Sequence, residues 1–135
     1  MDSSGNVYVV DEGNDRIQKF NSTGGFITKW GVRGSSDGQF DSPRGIAIDS
    51  SDNIYVADFG NHRIQKFNSL SGFITKLGIE DGGDGQLQKF NSTGSFITKR
   101  GSRDNNDGQF NWLMGIVVDS SDNVYVADSL YYEMG

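Results

Sequence analysis

The sequence contains no cysteine, one histidine (His62) and one proline (Pro43). Without cysteine, disulfides and thiolate metal sites are excluded, while the compartment stays undetermined. A metal centre needs several ligands converging in space, and a lone loop histidine does not supply them. No apolar run approaches the roughly 20 residues that cross a bilayer as a helix. The opening Met1-Asp2-Ser3-Ser4-Gly5-Asn6 has neither the basic start nor the apolar run of a signal peptide. It lies inside a repeated phrase, which leaves open a piece of a longer, exported or unexported protein. Basic residues are in deficit, with 12 Lys and Arg against 18 Asp and Glu and a net charge of −6. A nucleic-acid backbone is therefore not the expected partner, because phosphate binding needs clustered Lys and Arg. No Gly-x-Gly-x-x-Gly or Walker-type phosphate loop is present. A Ser-His-Asp arrangement would need a serine beside His62, and the serines here occupy turn-like phrases.

What the chain has is glycine and repetition. Nineteen glycines fit many tight turns rather than helices. Asp2-Ser3-Ser4-Gly5-Asn6-Val7-Tyr8-Val9-Val10-Asp11 returns from Asp49 to Asp58, and again from Asp119 to Asp128. Gln18-Lys19-Phe20-Asn21-Ser22 returns at Gln65 and at Gln88. The first interval is 47 residues for both phrases; the next Gln-Lys-Phe copy follows after 23, and the last Asp-Ser-Ser copy after 70, the sum of the two. One repeat is thus whole, and the next lacks a stretch corresponding to Phe40 through Arg63, with Leu87 where Ile64 would be. A period in the forties with strand-like content is the range of propeller blades.

The whole repeat divides into four short pieces: 45–49, 54–58, 63–67 and 72–77. Each is rich in β-branched or aromatic residues and bounded by Gly, Asn, Asp or Ser. Alternation places Ile46 and Ile48 opposite Ala47, Ile54 and Val56 opposite Tyr55 and Ala57, and Ile64 opposite Phe67. Apolar residues on both faces predict a sheet covered on both sides. Gly45 and Ala47 suit a crowded innermost strand. Asp49-Ser50-Ser51-Asp52-Asn53 predicts a hairpin closed by side-chain bonds to backbone N–H groups. It lacks the glycine and distal Glu of a calcium loop. Asp58 with Arg63, and Asp11 with Arg16, are placed to brace neighbouring strands, worth roughly 0.2–1 kcal/mol per pair.

These residues resemble the NHL-repeat family of β-propellers. The likeness runs through Pro43-Arg44-Gly45-Ile46-Ala47-Ile48-Asp49, then Asn53 to Phe67, Gly72-Phe73 and, in the first copy, Trp30-Gly31. The resemblance implies four-stranded antiparallel blades, with full family propellers commonly six-bladed and mostly serving as platforms for proteins, peptides or RNA. The sequence departs from it in the missing half repeat, at Asn111-Trp112-Leu113-Met114-Gly115, and after Asp128. There Glu133 would stand opposite Asp128, and a regular strand is not expected to continue.

The fold class expected is all-β: a β-propeller segment of four-stranded antiparallel NHL-type blades whose ring one chain does not close. A single domain, 1–135, divides into a partial blade (2–39), a complete blade (40–86), half blades (87–109 and 110–128) and an irregular tail (129–135). The strands in these units, three, four, two and two, make eleven. The half blades can pair out of chain order: crossing three strand gaps needs about 14 Å, and twelve extended residues reach about 40 Å.

The expected function is a non-enzymatic interaction or structural module presenting propeller loops to a protein or peptide, with self-association through open blade edges. Arg33, Phe59, Asn61, His62, Arg103 and Trp112 are the candidate contacts, from the loop end where the repeats differ. No catalytic residue, metal ligand or cofactor is assigned, and no membrane insertion is expected. The alternatives are a fragment of a metal-dependent propeller enzyme (lyase or lactonase-like) and an RNA-binding NHL domain. The mixed charge of Arg33 and Arg103 with Asp37, Glu80 and Asp104 ranks RNA below protein.

Overall fold

A computed structural model describes residues 1–77, 86–91, 96–101 and 112–129. The described residues form eleven strands in three antiparallel sheets. The first sheet holds β1 (Val7–Asp11), β2 (Arg16–Phe20) and β3 (Phe26–Trp30) in that order. The second holds β4 (Pro43–Ile48), β5 (Ile54–Asp58), β6 (Arg63–Phe67) and β7 (Phe73–Leu77). β4 begins earlier than the pattern suggested. A bulge at Arg44 lets Pro43 pair with Asp58 and Gly45 with Ala57, and proline is tolerated at a strand's first residue.

The third sheet is assembled out of chain order as β10-β11-β8-β9. Its strands are β8 (Gln86–Phe90), β9 (Phe96–Gly101), β10 (Trp112–Val118) and β11 (Val124–Ser129). β11 pairs antiparallel with β8, setting Val124 against Phe90 and Val126 against Gln88. The two half repeats therefore make one sheet. Asp128 registers with Gln86 and Leu113; Glu133, expected opposite it, lies outside the described residues. Gln86 stands where the other sheets have Arg16 and Arg63; Ser129, expected to open the irregular tail, still belongs to β11, and the rest of that tail, 130–135, lies outside the described residues.

Each Asp-Ser-Ser hairpin is closed by one carboxylate. Asp49 Oδ1 accepts the N–H groups of Ser51 (3.0 Å) and Asn53 (2.9 Å), while Oδ2 accepts the Asn53 amide and the Tyr55 hydroxyl (both 3.1 Å). Asp2 and Asp119 repeat the arrangement. Asp52 and Asp122, at φ 64° and 63°, occupy the left-handed position that such turns require.

The core lies between the sheets. Ile54, Val56 and Phe67 of the second sheet meet Tyr8, Ile17 and Phe40 on the side of the first. Tyr55, Ala57 and Ile64 meet Phe90, Ile116, Val124 and Val126 of the third. The central sheet is thus covered on both faces, as its alternation predicted, and β5 is buried along its whole length. A Cβ at Gly45 would lie 3.4 Å from both Ala57 Cβ and Ile116 Cγ2, so this innermost strand is closely packed. Each fully buried aliphatic or aromatic side chain contributes about 1.5–3 kcal/mol.

Candidate functional site

The segment joining β3 to β4, residues 31–42, folds over the end of the second sheet. It closes on itself through Phe40 N–H to Val32 O (2.9 Å) and Gly34 N–H to Phe40 O (3.0 Å), and buries Phe40 in the core. Five side chains, four on the strands of the second sheet and Asn61 in the turn between β5 and β6, hold it. Arg63 donates through Nη1 to Ser35 O (2.9 Å) and through Nη2 to Ser36 O (3.0 Å) and Gln39 O (2.9 Å). Gln65 donates to Gln39 O (2.6 Å) and accepts from Gly38 N–H (2.8 Å). Asn61 donates to Gly34 O (2.8 Å), and Lys76 pairs with Asp37 (2.8 Å).

Asp58 organises this grip. Its Oδ2 accepts Arg63 Nε and the Asn61 amide, both at 2.9 Å, and its Oδ1 accepts Asp41 N–H at 2.8 Å. The Asp58–Arg63 pair braces β5 against β6 as expected, and with side chains 0% and 7% exposed it is also a buried hub. Burial pushes the Asp58 carboxyl above the usual aspartate range, against the pull of Asp41 N–H, Asn61 and Arg63.

The first sheet carries the same set, Asp11, Asn14, Arg16, Gln18 and Lys29, and none of the described residues is seated on it as 31–42 are on the second. Asp11 gathers Arg16 Nε (2.7 Å), Asn14 (3.0 Å) and Gln18 (3.1 Å). No partner among the described residues takes the terminal guanidinium nitrogens of Arg16. The Arg16 side chain is 30% exposed. Here the bond from Arg16, then that from Asn14, draws the Asp11 carboxyl below its ordinary value. A cavity of about 550 Å³ opens beside them, lined by Asn14, Arg16 and Lys29, the counterparts of three groups that hold residues 34–37. Its other wall is Trp30 to Arg33, and the buried Trp30 indole N–H has no acceptor there.

The structure distributes the six expected contacts unevenly. Arg33 is exposed and lines this cavity. Asn61 is committed to Gly34 O and Asp58. The Phe59 ring stacks under the Arg44 guanidinium at 3.9 Å and packs against the core between the second and third sheets. His62 ends the 3-10 turn Phe59–Asn61 with φ 54°. Trp112 opens β10 by its backbone, and Arg103 lies outside the described residues. Arg16 and Lys29 were not among the expected contacts. Their recurrence as Arg63 and Lys76 was visible in the repeat, but the loop that makes the difference was not.

Residues 40–67, spanning β4 to β6, match the family model of the NHL repeat. No curated protein sequence gives a significant match. Among solved structures, a streptogramin B lyase is similar with a TM-score of 0.57 and 17% identity, over 93% of this chain and 31% of that one. A protein of unknown function from Bacteroides thetaiotaomicron is similar with a TM-score of 0.63 and 17% identity, over 92% and 30%. An auxiliary nutrient binding protein from the same organism gives 0.56 and 20%, over 92% and 32%. The chain spans about a third of the length of these three proteins. The fold is that of β-propeller blades.

Proposed function

We propose that the chain is an interaction module, not an enzyme, and that the vacant seat on the first sheet is where it takes a peptide or protein loop. One observation carries this reading: the same residue set on the second sheet grips a loop mostly through its backbone, with five bonds to carbonyls, two from N–H groups and one ion pair. Such a grip is tolerant of sequence and selects shape. The preferred ligand is a glycine-containing turn with one acidic residue, whose carbonyls meet Arg16 and Gln18 and whose carboxylate meets Lys29.

The test is a titration of the protein with a synthetic peptide of residues 31–42. We expect saturable binding that Arg16→Ala weakens by at least about tenfold, as loss of a charge-assisted multi-carbonyl donor should. Changing the peptide's Asp37 to Asn should weaken it only while Lys29 is present. Unchanged binding to the Arg16→Ala protein would reject the seat. The rival class is a metal-dependent propeller enzyme, given the lyase among the similar folds; stoichiometric zinc or calcium in purified protein would favour it.

A further inference from the structure

We infer that a second copy of this chain closes the ring, the outer face of the third sheet of one copy stacking on the outer face of the first sheet of the other. The inference stands apart from the vacant seat and rests on the end faces. Each internal interface joins a face of one kind to a face of another. In the second sheet, the Ile54 and Val56 face meets the first sheet, and the Tyr55 and Ala57 face meets the third. The two kinds reappear uncovered at the ends. Val7 and Val9, counterparts of Ile54 and Val56, are 39% and 42% exposed on the first sheet. Val117, counterpart of Ala47, is 63% exposed on the third, beside Tyr125 in the position of Tyr55.

These end faces are complementary to each other and not to themselves, so the contact is head to tail and must close to avoid a filament. Propellers close at about 4–8 blades. The described residues of one copy offer three sheets, two copies offer six, and three copies overshoot.

A polar clasp accompanies each internal interface. Ser3 N–H donates to Asp52 Oδ1 (2.9 Å), with the Ser3 hydroxyl on Oδ2. Ser50 repeats this on Asp122, at 2.9 Å and 2.6 Å. At the seam Ser120 would face Gly5, which holds the place of Asp52 and Asp122 and has no carboxylate. The seam is therefore weaker than the internal interfaces, and it is repairable. Gly5 has φ 82°, near the 64° and 63° of the two aspartates, and a Cβ there meets only Ser22 Cβ at 3.5 Å.

The experiment is native mass spectrometry with sedimentation on four proteins: wild type, Val9→Asp, Gly5→Asp, and Gly5→Asp with Ser120→Ala. The wild type should give a particle of twice the 14.8 kDa chain. Val9→Asp, on a residue exposed in the single chain, should give a folded monomer. Gly5→Asp should tighten each seam by about tenfold, and so the dimer with its two seams by about a hundredfold, and Ser120→Ala should cancel that gain. Because the chain lacks cysteine, V9C and V117C proteins can be mixed and oxidised. Cross-links between unlike variants support the seam. A wild type that stays monomeric at every concentration, or cross-links in V9C alone, overturns it.

Discussion

Asp58 and Asp11 are the same residue in the same repeat position, each bonded to an arginine five residues on. What separates them is the loop. Under residues 31–42 the Asp58–Arg63 pair is buried and Arg63 carries three carbonyls; on the first sheet, where no described segment lies over it, the Asp11–Arg16 pair is only partly buried. Removing one partner of a buried pair strands the other, at about 3–5 kcal/mol. An exposed pair is worth about 0–1 kcal/mol. Arg63→Ala should therefore cost several kcal/mol in urea unfolding, and Arg16→Ala should be nearly silent there while affecting peptide binding. The pH response follows from the same environments. Asp119, held low chiefly by Asn123 N–H, and Asp122, held low chiefly by the Ser50 hydroxyl, have folded values below the unfolded aspartate. Each contributes stability above about pH 3.9, lost as pH falls through the folded value. Asp58 works the other way, because burial raises it. Its contribution is full below the ordinary aspartate value and is lost as pH rises through the raised folded one. The urea midpoint should hold or climb slightly on acidification from neutrality, then drop below about pH 4. A midpoint falling steadily from pH 7 would contradict the Asp58 assignment.

At the scale of strands and turns, alternation carried most of the information. Ile46, Ile48, Ile54 and Val56 against Ala47, Tyr55 and Ala57 foretold a sheet buried on both faces. The break in period left a pairing of the two half repeats open, since β8 lacked inner neighbours and β11 lacked outer ones, and the register of β11 on β8 came from the structure. The Arg44 bulge and the grip on residues 31–42 were not legible. Both depend on contacts between one repeat and the segment before it, 24 to 28 positions away for Arg63, and no local pattern encodes where a carbonyl will point. Gly31 is a case where such a contact fixes a residue. Its φ is 107°, and a Cβ there would lie 2.6 Å from the Phe40 ring. Gly31→Ala should cost more than about 1 kcal/mol from backbone strain alone, measured as a fall in melting temperature. Phe40→Leu in the same protein should return less than additivity predicts to the loss, since the ring is one source of the clash. Amide exchange should divide the sheets along the same lines: slowest in β5 and β6 of the central sheet, faster in β1, which has a partner on only one side.

For the whole molecule, stability is close to a sum of individual sheets and the interfaces between neighbours. The described residues form two such interfaces and two end faces that repeat their residue types. If the ends meet in a second copy, unfolding becomes bimolecular and depends on protein concentration. Each tenfold increase in concentration then adds about 1.4 kcal/mol to the dimer, which for a chain of this size raises the melting temperature by a few degrees. Val9→Asp puts a carboxylate on the exposed face of the first sheet and touches neither internal cluster. Its melting temperature should sit near that of wild type at low concentration and stay flat as concentration rises. Gly5→Asp should steepen the dependence at low concentration, where the repaired clasp still holds the seam closed. Identical flat profiles for all three proteins would mean that the end faces stay open, and that the stability of this fold resides in its two internal interfaces alone.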